Sequence, residues 1–321
     1  MHQPTEVASR LWGPLLTAFL AASAVACGGE DTEQGNATVL LQAEDTITDG
    51  LDPGMGREQV VDGWTVRFDK YIVAVGNVKL GRDANSIEVT DGTRRVYDLV
   101  KIPQSDWTLT NLEGLEAKRY DFFGYDVVHA EDAERDDSVS QEDYDEMVAH
   151  DASYLIEGSL TQGDQTVTFH FAVPAETQFG PCEANGVPGL VVPANGTASV
   201  GITIHGDHLI FNSFGSHDVE RRAQWIADAD TDGDGRVDEE ELKGITGAAL
   251  STLFPADQYA LGGWAAFPIE SAYDFLRAQL HTQGHYQGEG ECVWSVGGVS
   301  GGHDHDHDHD HDHDHDHDHD H

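Results

Sequence analysis

Carboxylates recur at every second position along Asp230-Thr231-Asp232-Gly233-Asp234-Gly235-Arg236-Val237-Asp238-Glu239-Glu240-Glu241. Oxygen donors at that spacing suit a hard cation that takes about six to eight ligands, and calcium is the expected one. Asp230, Asp232 and Asp234 would each supply a carboxylate oxygen, Arg236 its backbone carbonyl, Asp238 a contact through water, and Glu241 both of its oxygens. Gly235 permits the sharp turn that wraps the chain around the ion. Two further groups carry imidazole, an intermediate ligand that favours zinc, copper and nickel. His205, Asp207 and His208 form an H-G-D-H corner between two strand-like runs, with His217 nine residues on. Residues 303–321 alternate strictly between histidine and aspartate, with imidazoles at His303, His305, His307, His309, His311, His313, His315, His317, His319 and His321. An extended chain puts those imidazoles on one side and the carboxylates on the other, so the tail is expected to chelate zinc, copper or nickel with little selectivity. His281 and His285, four apart, straddle a presumed helix cap at Gly284, while His129 and His170 have no sequence-local partner.

The twelve residues 230–241 resemble the EF-hand calcium-binding loop at each informative position, and Val237 falls where that family packs an apolar side chain against a partner loop. A second frame, starting at Asp228, also has glycine sixth (Gly233) but puts Gly235 at the apolar position. The resemblance covers 216–245 and implies calcium binding there. EF-hands usually work in pairs, and the poor second copy around Asp132, Glu134 and Asp136 has Asp137 where glycine is required and Asp143 where the final glutamate belongs. It reads as an acidic loop. A lone loop is expected to be a structural calcium site.

The first 26 residues carry Arg10 and then sixteen uncharged residues ending in small ones, the pattern of a secretory signal peptide. Ala24-Val25-Ala26-Cys27 resembles a bacterial lipobox, with alanine where that family prefers leucine. The resemblance implies lipidation at Cys27 and a membrane-anchored envelope protein, and Gly28 points to the outer membrane, facing the periplasm or the cell surface. With Cys27 lipidated, Cys182 and Cys292 remain as an even pair in an oxidising compartment, which reads as a disulfide; no C-x-x-C supports a metal site instead.

Elements to hold these groups are legible as far as their type. ATVLLQAE, WTVRFDKYIVAVGNVKL, SIEVTDGTRRVYDLV, SYLIEGSLTQGDQTVTFHFAVP and TASVGITIHGDHLIF are rich in β-branched and aromatic residues, with turn signals at Thr90–Thr93 and Gln162–Asp164. About eight to ten strands are expected over 38–214. The fold class is therefore mainly β: an antiparallel β-sandwich or barrel-like domain with a helical C-terminal segment carrying one EF-hand. Helices are expected after Ser140, after Ser216 with a stripe of Val219, Ala223, Trp225 and Ile226, and over Ile269–Gln283. The organisation expected is signal peptide 1–26, tether 27–37, β domain 38–215, EF-hand segment 216–302 and disordered tail 303–321.

The chain has 59 acidic against 17 basic residues in 321, a formal net charge of −42, which excludes a nucleic-acid binder that works by neutralising phosphates. No catalytic signature of the H-E-x-x-H, G-x-S-x-G, Walker or dinucleotide type is present, and an enzyme is not expected. The β region resembles uncharacterised bacterial envelope β-sandwich proteins, some associated with copper. The function expected is a calcium-binding envelope lipoprotein whose tail collects transition metal; the alternative is a calcium-stabilised sandwich for adhesion or ligand binding. Metal ions and the membrane are the partners expected.

Overall fold

Runs of β-branched and aromatic residues become strands, numbered in chain order through a computed structural model that describes residues 32–103, 106–214 and 219–301. The expected leader 1–26, Cys27, the first part of the tether, Ser216, His217 and the tail 303–321 lie outside the described residues. The strands are β1 (Gln34–Ala43), β2 (Thr65–Gly81), β3 (Ile87–Asp98), β4 (Trp107–Glu116), β5 (Arg119–Tyr120), β6 (Phe122–Val127), β7 (Glu134–Arg135), β8 (Tyr154–Gln162) and β9 (Gln165–Val173). They continue with β10 (Thr177–Ala184), β11 (Val187–Pro188), β12 (Leu190–Val191), β13 (Thr197–Ile204), β14 (Arg236–Val237), β15 (Gly284–Tyr286), β16 (Glu291–Val296) and β17 (Val299–Gly301). The helices are α1 (Asp45–Thr48), α2 (Gln141–Ala149), α3 (Gln224–Asp228), α4 (Glu239–Gly244), α5 (Gly247–Leu253) and α6 (Ala272–Leu280). Among the described residues no helix is long and apolar enough to cross a membrane.

The fold is mainly β and sandwich-like, and it does not close into a barrel. A four-stranded sheet runs β15-β13-β1-β4, an eleven-stranded sheet follows the path β14-β9-β8-β2-β6-β10-β16-β17, and β12 pairs with β5. Most pairings are antiparallel; β1 and β13 run parallel over eight residues, from Asn36↔Thr197 to Ala43↔Ile204. One core takes Val39 and Leu41 of β1 and Ile202 and Ile204 of β13 together with Tyr71, Val73, Tyr125 and Phe171 of the larger sheet. A second core on the other face of that sheet packs Ile72, Ala74, Leu155 and Ala172 against Val139 and Met147 around α2. Burial on both faces explains why Tyr71-Ile72-Val73-Ala74-Val75 is a continuous apolar run rather than an alternating one.

Several expectations hold and several change. Ser140 caps α2, its hydroxyl accepting from the Asp143 amide at 3.0 Å, and Gln162–Gln165 closes the β8–β9 hairpin around Gly163. Thr90–Thr93 is not a turn: β3 runs through it, Asp91 pairing with Val78 while Asp91 Oδ1 accepts from the Thr93 amide, and a register shift opposite, between Gly76 and Val78, absorbs the irregularity. The sequence count of strands was low because pieces such as β5, β7, β11 and β12 are two residues long. The second helix shrinks to α3, because Arg221 is pulled into backbone bridges with Val60 and Phe211 and its guanidinium reaches buried Asp207. Helix α6 starts at a Ser271–Asp274 capping box and ends on His281; Gly284 opens β15 instead of capping the helix. The C-terminal segment therefore gives four strands as well as helices, and it shares one compact unit, Glu33–His321, with the β region. Cys182 and Cys292 lie opposite each other in the β10–β16 register and form the disulfide.

Candidate metal centres

The carboxylate loop is built by its own backbone. Asp230 accepts from the amides of Gly233, Asp234 and Gly235 at 2.8, 3.1 and 3.0 Å, Asp232 from Asp234 at 3.1 Å, and Asp234 from Arg236 at 2.8 Å. These local bonds wind the chain so that one oxygen from each of Asp230, Asp232 and Asp234 lies within 4.8 Å of the others. The winding needs a left-handed backbone at Gly235, whose φ is +83°, a conformation that costs an L side chain. Asp238 caps α4, accepting from the Glu240 and Glu241 amides, and the reciprocal bond from the Asp238 amide to Glu241 Oε2 turns Glu241 back over the loop. Glu241 Oε1 there accepts from the Thr231 amide at 2.7 Å. The six expected positions are thus on one short loop, half of it exposed.

What anchors that loop is the edge of the large sheet. Arg236 and Val237 pair in parallel with Thr168 and Phe169 of β9, and Val237 is fully buried. The Thr168 amide donates to Gly235 O at 2.9 Å, and buried Glu239 accepts from the Ala172 amide. The apolar position expected to face a partner loop faces a strand instead. On the entry side, the Gln224 amide donates to Asp62 and the Trp64 indole donates to the Gln224 side chain, both at 2.9 Å.

A second centre lies at the end of the four-stranded sheet. Strand β1 delivers Glu44, β13 delivers His205, and β15 carries His285 opposite Thr203. A 3-10 turn over Asp207–Ile210 folds His208 back on the group, and Gly206 makes that possible because a Cβ there would stand 2.6 Å from Ile47. His205, His208 and His285 are all buried, and one nitrogen from each lies within 4.8 Å of the others. His285 Nε2 faces His208 Nε2 at 3.3 Å, and the His205 and His285 rings stack at 3.9 Å. Glu44, His205 and Glu289 form an overlapping group, with Glu44 Oε1 3.4 Å from His205 Nδ1. Burial, reinforced by the Asp207 and Glu289 charges, pushes the Glu44 carboxyl up to about 8.

Asp207, expected as a third ligand in H-G-D-H, stands outside the imidazole group: its Oδ2 accepts from the Arg221 guanidinium, with Nε at 2.8 Å. Its Oδ1 is buried without a hydrogen-bond partner among the described residues. His285 and Glu44 take places that sequence spacing did not assign. The other histidines go elsewhere. His170 sits between Glu146 and Glu157, His129 meets Glu176, and His281 is buried against Trp264 with its Nδ1 on Thr177. Burial, with Arg277 nearby, lowers His281 to about 3 and keeps it neutral. The acidic stretch at Asp132–Asp136 follows from the end of a 3-10 turn over Ala130–Asp132 into β7, which pairs in parallel with β3. No known protein family matches this chain, and no match to it was found among curated proteins or solved structures.

Proposed function

We propose that the chain is a lipid-anchored protein of the bacterial cell envelope whose β-sandwich is braced by calcium in the loop 230–241 and which binds zinc, copper or nickel through its His-Asp tail. The observation that carries the calcium half is the wound loop: three carboxylate oxygens converge, Gly235 is left-handed, and Glu241 is folded back by a reciprocal cap. A dication would draw together oxygens that otherwise repel, which is why such a loop gains most of its rigidity on binding. Because the loop hydrogen-bonds to β9 through Gly235 and Glu239, ordering it also fixes the edge of the large sheet. Calcium here acts as a brace.

Thermal unfolding of the full-length protein tests the reading. Added calcium should raise the midpoint, chelation by EGTA should reverse the gain, and Glu241→Gln should abolish the response. A midpoint indifferent to calcium would overturn it.

A further inference from the structure

The hydrogens in the buried imidazole cluster can be assigned. The Thr282 hydroxyl gives its one hydrogen to Gln279 O at 2.8 Å, so at its other contact, with His208 Nδ1 at 2.9 Å, it accepts. His208 therefore carries its proton on Nδ1, and Nε2 is its acceptor atom, directed at His285 Nε2. On the opposite side, His205 Nε2 contacts Gly288 O at 3.1 Å; a carbonyl only accepts, so the proton is on Nε2 and Nδ1 is the acceptor. That Nδ1 faces a carboxylate oxygen of Glu44. The acceptor atoms of two rings are thus fixed, each by a bond on its outer side. This is how metal-ligating histidines are held, with the distal N–H tied to a carbonyl, hydroxyl or carboxylate.

The spacing agrees with one kind of ion. An ion bound tetrahedrally about 2.0–2.1 Å from each nitrogen sets neighbouring ligand atoms about 3.3–3.4 Å apart. His208 Nε2 and His285 Nε2 are 3.3 Å apart, and a nitrogen of His205 lies within 4.8 Å of both. We propose that His205, His208 and His285 form a buried centre for a zinc-class divalent transition metal, its fourth position left to water, with Glu44 beside His205 at its edge, separate from both the carboxylate loop and the tail. Thr282 and Gly288 are its positioning groups, and Asp207 contributes by fixing the 3-10 turn to Arg221.

Cobalt is the probe, because four-coordinate cobalt absorbs visible light far more strongly than the six-coordinate ion expected on a flexible tail. Full-length protein, freed of loosely held metal after cobalt loading, should keep one ion per chain with intense visible absorption. Its absence in the wild-type protein would overturn the proposal without recourse to any variant. His208→Gln and His285→Gln should each lose the band; a band unchanged in both would assign the ion elsewhere and overturn it too. Thr282→Val should weaken cobalt binding about 10–100-fold and Thr282→Ser should restore it. Where a variant does not fold, X-ray absorption on the zinc-loaded wild type decides: a shell with three imidazoles supports the centre, and a shell of oxygens alone contradicts it.

Discussion

The carboxylate loop and the imidazole centre solve the same problem by opposite means. In the first, the donors lie within twelve consecutive residues, each at least partly exposed, and are shaped by amide bonds from their own backbone. In the second, the three imidazoles come from two segments far apart in the chain, 205–208 and 285, brought to one sheet end beside Glu44 and buried. A local site can be wound before the rest of the chain folds, whereas a dispersed one exists only after β1, β13 and β15 have paired. The first is shaped by its own backbone; the second is held by the fold.

That contrast predicts where perturbations act. The largest effect should come from the disulfide, which closes a sequence separation of 110 residues and ties β10 to the strand that follows β15. Replacing Cys182 and Cys292 together with alanine should cost about 4–5 kcal/mol in chemical denaturation on the chain-entropy account. Cobalt binding at the dispersed centre should weaken with it, while calcium affinity of the loop changes little. If calcium affinity fell as far as cobalt affinity, the loop would not be local in the sense argued.

Next in size is Glu241→Gln, which removes the charge at the loop's closing ligand. It should weaken calcium binding about 100-fold, near 2.7 kcal/mol, as read by calorimetry. The cobalt absorption should stay as it is. The smaller counterpart is Thr282→Val, acting on His208 from outside the ligand set, with unchanged calcium affinity as its control.

A pH dependence, read on stability and not on metal affinity, singles out the buried side. His281, four residues before His285, is lowered to about 3, below its ordinary 6.5. A histidine depressed in the fold contributes its full stability above about 6.5 and loses it as the pH falls toward 3, by up to about 1.4 kcal/mol for each pH unit. Stability should therefore fall between pH 6.5 and 4 in the wild type and fall less steeply in His281→Gln. Identical slopes for the two proteins would mean that His281 is not held neutral.

The same contrast explains what the sequence disclosed. The loop could be read because every informative residue is a fixed number of positions from the next, and so could the cap at Ser140 and the turn at Gly163. The cysteine pair followed from parity in an oxidising compartment. The imidazole centre was half legible: H-G-D-H located His205 and His208, but grouping Asp207 with them ignored the 3-10 turn that directs it to Arg221. His285 enters through the pairing of Thr203 with residue 285, and no local spacing encodes a register 82 residues apart. Glu44 enters the same way, through the parallel β1–β13 register. A shortened α3 was equally invisible, because the amphipathic stripe from Val219 to Ile226 does not show that Arg221 has a buried carboxylate to reach.

The central claim is that one folded chain holds two metal centres of different chemistry that do not compete. Calorimetric titration of calcium into full-length protein saturated with zinc tests it most directly. The account predicts that one calcium binds per chain with the affinity seen in zinc-free protein and that no zinc is released. Calcium that failed to bind, or that displaced zinc as it bound, would contradict it.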